Sequence, residues 1–375
     1  MAKNNSRADT APSPNSTMKQ QATSSSVSNR PFFKRTSPSA QNLIEIGILT
    51  CGKKNYSHIE DIWGPFMNPI DEWPRLTGMV MTMVWDIDKT DTEAFSKKYD
   101  VKVVDNYYDM VGKVDGIIIS DYYATGWFPQ LSRPYLEAGI PILINRPFAL
   151  SLLEAREMID RARTNKTPIL VPSSHESIFE TIMTKFQLER AGEILGAMAL
   201  DPCGEYPAHG THGIYNLHEI LQTPSLAASF QGDTWWGFKN GMMNILFKGK
   251  ETAPNFYAGL LFNGEGYTDG WINVSAKNGH VFTPYHHLGH EEIFQGKYDR
   301  FRDLFLTTMQ DLQRMIETRK MPQTYDHIWN KTQCFIAGFY SHLVKDGQMV
   351  HYEDIPLDWR APSSKPDRFP GGYFN

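Results

Sequence analysis

The segment 115–155 constrains the fold of this chain more than any other, because it reads as a strand, a crossover helix and a second strand. The apolar runs Gly116–Ser120 and Ile140–Ile144 predict the two strands, and Gln130–Ala138 predicts the helix between them. A connection of this length brings the second strand back parallel to the first. The next helix opens at Ser151 with a glutamate three residues later, which is the spacing of a capping box.

The tripeptide Asn145-Arg146-Pro147 connects the second of these strands to that helix. Ligand sites in open α/β sheets lie in the loops that follow the carboxyl ends of the strands. This loop is therefore a candidate part of a binding site.

Strand and helix patterns alternate over about 130 residues around this unit, which is typical of a doubly wound parallel sheet of the Rossmann type. Further strands are predicted at Leu43–Leu49, Met79–Trp85, Lys102–Val104 and Ile169–Val171, and further helices at Ser57–Phe66, Thr92–Tyr99 and Asn106–Val111.

The loop after the first strand reads Thr50-Cys51-Gly52-Lys53 and precedes a helix start. Unpaired amides and the helix dipole at such a position attract a phosphate group. Only Gly52 remains of a G-x-G-x-x-G fingerprint, so an ordinary turn explains the loop equally well.

Asp86 follows the second predicted strand directly. A carboxylate at this point accepts the ribose hydroxyl protons of an adenine dinucleotide and repels a 2′-phosphate, which favours NAD over NADP. The alternative is that Asp86 or Asp91 caps the following helix.

The composition bounds the class of protein. The 375 residues are 41% apolar, which supports about two globular domains, and the net charge of -5 argues against a nucleic-acid partner. Three widely separated cysteines predict neither a disulfide framework nor a CxxC metal site. No apolar run reaches the roughly 20 residues of a membrane span. We therefore expect a cytoplasmic protein without a membrane or nucleic-acid partner.

The chain divides into three parts by composition and pattern. Residues 1–41 are rich in Ser, Asn, Thr, Pro and Ala and predict a disordered tail. Residues 42–172 form the predicted dinucleotide-binding domain, and residues 173–375 a C-terminal α+β domain. That domain is predicted to hold a large, mostly antiparallel open sheet, from strands at Ser229–Thr234, Met243–Phe247, Tyr257–Phe262 and Trp271–Ser275. The helix Asp299–Thr318 has the apolar spacing of a core helix.

The order of these elements resembles the Gfo/Idh/MocA superfamily of glucose-fructose oxidoreductase, inositol dehydrogenase and the rhizopine protein MocA. The resemblance rests on the Thr-Cys-Gly loop with His58, on Asp86, on Tyr107-Tyr108-Asp109-Met110, on Asn145-Arg146-Pro147, on Ser151, Glu154 and Ala155, and on Gly210-Thr211-His212-Gly213-Ile214. It implies NAD as cofactor, a carbohydrate or polyol as substrate, and a homodimer or homotetramer formed through the C-terminal sheet. It implies no metal.

The resemblance also assigns candidate site residues. The implied catalytic residues are Arg146, His212, His209 and Tyr206. The implied cofactor-binding residues are Thr50, Cys51, Gly52, Lys53, Asp86, Ser120, Tyr122, Asn145 and Arg146. The implied substrate-binding residues are His58, Trp127 and Trp235.

Three positions depart from the family pattern. Arg146 stands where the family usually has a lysine that contacts the nicotinamide ribose and the substrate hydroxyl, and Asn145 stands where it usually has a glutamate. Ala208 stands where an aspartate commonly precedes the histidine by four residues. Arginine orients and neutralises groups but is a poor proton relay, because it does not lose its proton.

Three functions are compatible with this pattern. The first is an NAD-dependent oxidoreductase that acts on a sugar, cyclitol or related polyol. The second is a redox-neutral, NAD-dependent glycoside hydrolase or lyase, because Tyr206-Pro207-Ala208-His209-Gly210 resembles a run in such enzymes of the same superfamily. The third is a sugar or nucleotide sensor without catalysis.

Seven of the 12 histidines lie between His209 and His290, a density that predicts a polar cleft. His286, His290 and Glu291 have a spacing that could bind zinc on a helix. A solvated loop beside the cleft explains that stretch as well, and we favour it.

Overall fold

A computed structural model describes residues 43–52, 57–69, 78–173, 179–201, 206, 210–232, 240–263, 270–285 and 300–363. The predicted N-terminal tail lies outside these ranges, as do Lys53, His209, Trp235 and the candidate zinc residues.

Six parallel strands form the first sheet. They are β1 (Ile44–Leu49), β2 (Met79–Trp85), β3 (Lys102–Val103), β4 (Gly116–Ile119), β5 (Ile142–Ile144) and β6 (Ile169–Leu170), in the spatial order β3-β2-β1-β4-β5-β6. This order confirms the predicted doubly wound Rossmann sheet. The direction of winding reverses between β1 and β4, so the loops after these two strands meet at the switch point.

Short helices connect these strands. They are a π-helical turn Ile59–Trp63 that continues into α1 (Gly64–Met67), then α2 (Lys89–Tyr99), α3 (Phe128–Glu137) and α4 (Leu152–Asn165). The capping box at the start of α4 is present, because Ser151 Oγ accepts from Glu154 N and the glutamate side chain accepts from the Ser151 amide. The helix predicted at Asn106–Val111 is wrong, since that segment consists of turns.

Seven strands form the second sheet. They are β7 (Ile194–Asp201), β8 (Ser225–Gly232), β9 (Asn240–Phe247), β10 (Phe256–Asn263), β11 (Gly270–Ala276), β12 (Gly279–Tyr285) and β13 (Val350–His351), in the order β12-β11-β7-β10-β9-β8-β13. Every neighbouring pair is antiparallel except β7 and β10. The mostly antiparallel sheet predicted from the sequence is confirmed, and it includes β7, β12 and β13, which were not predicted.

The remaining helices are α5 (Phe179–Ala191), α6 (Thr211–Leu221), α7 (Arg300–Thr318) and α8 (Tyr325–Val344). Helix α8 packs on β8, and α5 packs on β12. None of the helices in the described ranges is long and apolar enough to span a bilayer.

Helix α7 packs on the first sheet, although it follows the strands of the second one along the chain. Phe305, Met309, Leu312 and Met315 share one apolar cluster with residues of β1 and β2. The helix therefore completes the core of the Rossmann sheet and brings C-terminal residues beside the loop after β1.

One face of the second sheet carries no helix among the described residues. Tyr257 and Phe282 are more than half exposed on it, and Phe282 stacks on Trp271 at 6.3 Å between ring centroids. Large apolar side chains on an exposed sheet face are typical of an interaction surface. We call Trp271, Phe282 and Tyr257 the open-face aromatics.

Candidate functional site

A network of buried hydroxyl and carboxyl groups joins the loops at the switch point of the first sheet. Thr50 Oγ1 accepts from the amide of Asp121 at 3.0 Å, which links the end of β1 to the end of β4. The Ser57 and Ser120 hydroxyls are hydrogen-bonded to each other, and Ser120 Oγ also accepts from the Ile59 amide at 2.9 Å. These bonds hold the helix start and both strand ends in one position.

Asp86 is fully buried and turned toward the loop after β1. Its Oδ2 accepts from the Gly52 amide at 2.8 Å and lies 3.5 Å from Cys51 Sγ. The helix cap is Asp88 instead, whose side chain accepts from the amides of Thr90 and Asp91. The cap explanation for Asp86 and Asp91 is therefore wrong.

Gly52 has a backbone conformation that its position requires. Its φ is +63°, in the left-handed region, and a Cβ atom there would lie 2.9 Å from Ser57 Cβ. Thr50 also has a positive φ of 64°, which is uncommon for a branched residue. The hydrogen bond from Asp121 to the Thr50 hydroxyl stabilises this strained turn.

Asn145 at the end of β5 joins the switch point to the loop that the sequence indicated. Its Nδ2 donates to the Ser120 carbonyl at 2.6 Å and lies 3.5 Å from His58 Nδ1. Its Oδ1 accepts from the Arg146 amide at 3.0 Å. The asparagine thereby sets the direction in which the arginine leaves the strand.

Arg146 and His212 meet between the two halves of the chain. Both are buried, and the arginine Nε and Nη2 lie 3.2 and 2.8 Å from His212 Nε2. A guanidinium only donates, so Nε2 is the acceptor and carries no proton. The ring is therefore the neutral tautomer with its proton on Nδ1, which donates to Ser173 Oγ at 2.9 Å.

Aromatic rings surround these polar groups. The Arg146 guanidinium lies 4.7 Å from the centre of the Tyr122 ring, a cation–π contact. His58 contacts the rings of Trp63, Tyr122 and Phe305 at 5.0 to 5.4 Å between centroids. Phe305 belongs to α7, so the C-terminal part of the chain contributes to this wall.

The residues at the switch point have the chemistry that a dinucleotide requires. Gly52 lies tight against Ser57 and donates its amide to Asp86, which places a carboxylate at the end of β2. A carboxylate at this position can accept the two hydroxyl protons of a ribose. These residue types fit an adenine dinucleotide along this edge of the sheet, with Asn145 and Arg146 at the end of β5, beyond β4.

Tyr206 lies away from this site, contrary to the prediction that it is a catalytic residue. Its ring is fully buried and stacks on Phe335, and its hydroxyl donates to the Phe335 carbonyl at 2.7 Å. Gly338 makes room for the hydroxyl, because a Cβ there would overlap it. Burial raises the pKa of Tyr206 well above its usual value, so it stays a protonated core residue.

The other predicted residues fall into two groups. The structure brings Thr50, Cys51, Gly52, Asp86, Ser120, Tyr122, Asn145, Arg146, His58 and His212 to the same edge of the first sheet. Trp127 packs against the apolar core as a partly buried side chain.

Two histidines that were predicted to line a polar cleft lie elsewhere, namely His218 and His280. His218 is buried, with Nδ1 donating to the Ile214 carbonyl and Nε2 accepting from the Ser225 hydroxyl, each at 2.8 Å. Burial lowers the pKa of His218 to about 4, so its ring is uncharged near pH 7. His280 lies on the edge strand β12, beside Ser275.

Ser173 was missed by the sequence reasoning, although it contacts His212 directly. It is the third residue after β6, so the rule that sites lie after the carboxyl ends of parallel strands could have indicated it. A lone serine carries no stronger signal.

Residues 45–172 match the model of GFO_IDH_MocA, an oxidoreductase family with an NAD-binding Rossmann fold. None of the curated proteins matched the sequence.

Several solved structures share the fold over most of the chain. Myo-inositol dehydrogenase from Lactobacillus casei, in complex with NAD(H) and myo-inositol, has a TM-score of 0.68 at 16% identity, covering 86% of this chain and 99% of its own. Scyllo-inositol dehydrogenase from the same organism, with NAD(H) and scyllo-inositol, has 0.67 at 12%, covering 83% and 100%. A probable dehydrogenase from Thermotoga maritima has 0.66 at 13%, covering 83% and 100%. These similarities establish the fold.

Replacement of Tyr206 by phenylalanine tests its assignment to the core. The variant removes the hydrogen bond from the buried hydroxyl, while the Phe335 carbonyl keeps its position inside helix α8, so we expect the free energy of unfolding to fall by about 0.5 to 1.5 kcal/mol. We expect the affinity for NADH, measured by fluorescence titration of the folded protein, to stay unchanged. A variant of normal stability that no longer binds NADH would contradict the assignment.

Proposed function

Because the chain belongs to the Gfo/Idh/MocA oxidoreductase family through residues 45–172, we propose that it is an NAD-dependent oxidoreductase of a sugar, cyclitol or related polyol. The observation that carries this proposal is the contact between Arg146 and His212 at the carboxyl edge of the Rossmann sheet. The unprotonated Nε2 of this histidine has a lone pair that can accept the proton of a hydroxyl group.

When bound, NAD would supply the acceptor for the hydride that leaves the carbinol carbon. The substrate hydroxyl replaces the guanidinium at His212 Nε2, and this nitrogen accepts the hydroxyl proton as a general base. Arg146 stays charged throughout, so it orients the hydroxyl oxygen and stabilises negative charge on it without exchanging a proton. The Tyr122 ring and Asn145 hold Arg146 in place.

Asp86 supports NAD rather than NADP as the cofactor. Its carboxylate is buried beside Gly52, where the adenosine ribose would lie. A 2′-phosphate at this position would bring two anionic groups together in a poorly solvated place, which is strongly unfavourable.

The redox-neutral alternative loses one of its two candidate general bases, since Tyr206 lies in the aromatic core. Its remaining candidate, His209, lies outside the described residues. Release of a chromogenic aglycone without a change in NADH absorbance would favour that alternative.

The proposed activity is tested with a panel of inositols, sugars and sugar alcohols and NAD as the oxidant. We expect NADH to form with at least one cyclitol or polyol, measured by its absorbance. Replacement of His212 by alanine should lower kcat/KM on the order of a hundredfold or more, because general base catalysis is lost.

The control variant replaces His280, the exposed histidine of β12, and should keep the wild-type kcat/KM. Two results would contradict the proposal, namely absence of NAD and NADH binding, and an undiminished rate in the His212 variant.

Replacement of Asp86 by serine tests the cofactor assignment. Without the carboxylate the repulsion of a 2′-phosphate disappears, so the ratio of the NADPH to the NADH dissociation constant should fall on the order of tenfold or more. Calorimetric titration with both cofactors measures this ratio. The matched variant Asp88→Ser retains a helix cap and should leave the ratio unchanged. An unchanged ratio in the Asp86 variant would refute the assignment.

We further propose that the open face of the second sheet joins two copies of the chain. The open-face aromatics are the observation that supports this, because they expose apolar surface that a second copy would cover.

Replacement of Phe282 by lysine places a charge in this surface and should shift the protein toward monomers in sedimentation velocity. The control Leu343→Lys places the same charge at an exposed apolar side chain of α8, outside the open face, and should have a smaller effect. An oligomer that is unaffected by Phe282→Lys would argue against this face.

A further inference from the structure

His212 has a second neighbour that the proposed reaction does not use. Its Nδ1 donates to the hydroxyl of Ser173. Ser173 is buried and lies three residues after the last residue of β6. This contact lies on the side of the ring opposite to Nε2, so a proton could leave the histidine there without crossing the substrate.

Ser173 forms part of the wall of a small polar cavity. The cavity has a volume of about 60 Å³, and three elements of the fold meet around it. Its lining includes Glu219 on α6, Thr308 and Asp311 on α7, and Gln323 before α8. A space of this size, with several polar partners, is large enough for more than one water molecule.

The two carboxylates reach from the cavity toward solvent, since the side chains of Glu219 and Asp311 are each 21% exposed. Two lysines lie close to the polar groups of the cavity. Lys185 lies 2.6 Å from Glu219, and Lys331 lies 3.2 Å from Gln323 Oε1.

Lys331 also holds the serine segment in position. It is fully buried, lies 4.0 Å from the centre of the Tyr215 ring, and donates to the Val171 carbonyl at 3.5 Å. The backbone that carries Ser173 is thus fixed from α8, while the histidine is fixed on α6.

The charges on the described neighbours of His212 disfavour a proton that stays on its ring. The Arg146 guanidinium opposes a second positive charge on the adjacent ring, and the Ser173 hydroxyl carries no negative charge to stabilise one. A histidine that receives a proton in this setting has to pass it on quickly.

We propose that Ser173 is a positioning residue that connects His212 to the cavity, and that protons leave the site past Glu219 and Asp311. The inference rests on the proposed oxidoreductase function. In the oxidation the carbinol carbon loses a hydride, for which bound NAD would be the acceptor, and the hydroxyl O–H bond breaks as its proton bonds to His212 Nε2. The Nδ1–H bond then breaks as Ser173 Oγ takes that proton, and the original hydroxyl proton of the serine passes to water in the cavity. Reduction of a carbonyl runs the same path inward.

Replacement of Ser173 by alanine removes the connection. We expect kcat at neutral pH to fall on the order of tenfold, with KM and the NADH affinity within about twofold, because only proton transfer is affected. The deficit should shrink as the pH rises, since hydroxide removes the proton directly. Ser173→Thr retains the hydroxyl and should stay within about threefold of the wild-type kcat.

A second pair of substitutions tests the exit. Glu219→Gln combined with Asp311→Asn keeps the shape of the cavity and removes both carboxylates, so kcat should fall by a similar factor. The other ionisable groups nearby do not produce such a change. Burial lowers the pKa of His218 to about 4 and that of His327 well below its usual range, so both are neutral at the pH of the assay.

Histidine-selective ¹⁵N NMR of the protein without substrate separates this inference from the proposed function. We expect His212 as the Nδ1–H tautomer, with a downfield Nδ1 proton that moves upfield in Ser173→Ala and stays in Ser173→Thr. If no polyol is oxidised, the proposed function fails while this spectrum still reports the contact. The inference is overturned by an unchanged spectrum in Ser173→Ala, by wild-type kcat in that variant or in the double variant, or by a Ser173→Thr variant as slow as Ser173→Ala.

Discussion

The contact of Arg146 with His212 is the interaction on which the rest of the site depends. It joins the end of β5 in the first sheet to the first turn of α6, across 66 residues of chain. Because arginine cannot lose its proton, the contact fixes the protonation of the histidine as well as its orientation. A lysine at the same position would leave the tautomer open, since it can be neutral when buried. The identity of one side chain therefore sets the chemistry of its neighbour.

The first sheet was predictable from the sequence because its signals are local. The run Met79–Trp85 was predicted with the bounds it has, and the capping box at Ser151 was identified from two residues. The strand β7 has small residues and no clear alternation, since Ile194–Asp201 includes Gly196, Ala197 and Ala199. Its position between β11 and β10 depends on pairing with strands much later in the chain, which no local pattern encodes. Helix α7 illustrates the same limit, because amphipathic spacing identifies an apolar face but does not identify the sheet that it covers.

The positions of individual candidate residues were predictable where topology determines position. Asp86, Asn145 and Arg146 follow parallel strands, so the sheet itself brings them to one edge. Tyr206 differs because the direction of its side chain is set by distant residues. Its hydroxyl reaches the Phe335 carbonyl, 129 residues later, through space that Gly338 provides. A short motif around Tyr206 resembles a catalytic run, but the packing of α8 decides that the ring belongs to the core.

Arg146 limits how protons are exchanged in this site, because it does not lose its own proton. A lysine can take up a proton from the histidine or the substrate and return it later, so it can store the proton close to the reacting atoms. An arginine at that position cannot, and its charge makes the protonated histidine less favourable. The proton then needs another acceptor. Among the described residues, Ser173 contacts the other nitrogen of the histidine ring, Nδ1.

The cavity behind Ser173 is formed by β6, α6 and α7, and it includes carboxylates that reach the surface. Packing α7 on the first sheet is thus what completes the wall of this cavity, so the unexpected location of one helix bears directly on the chemistry of the site.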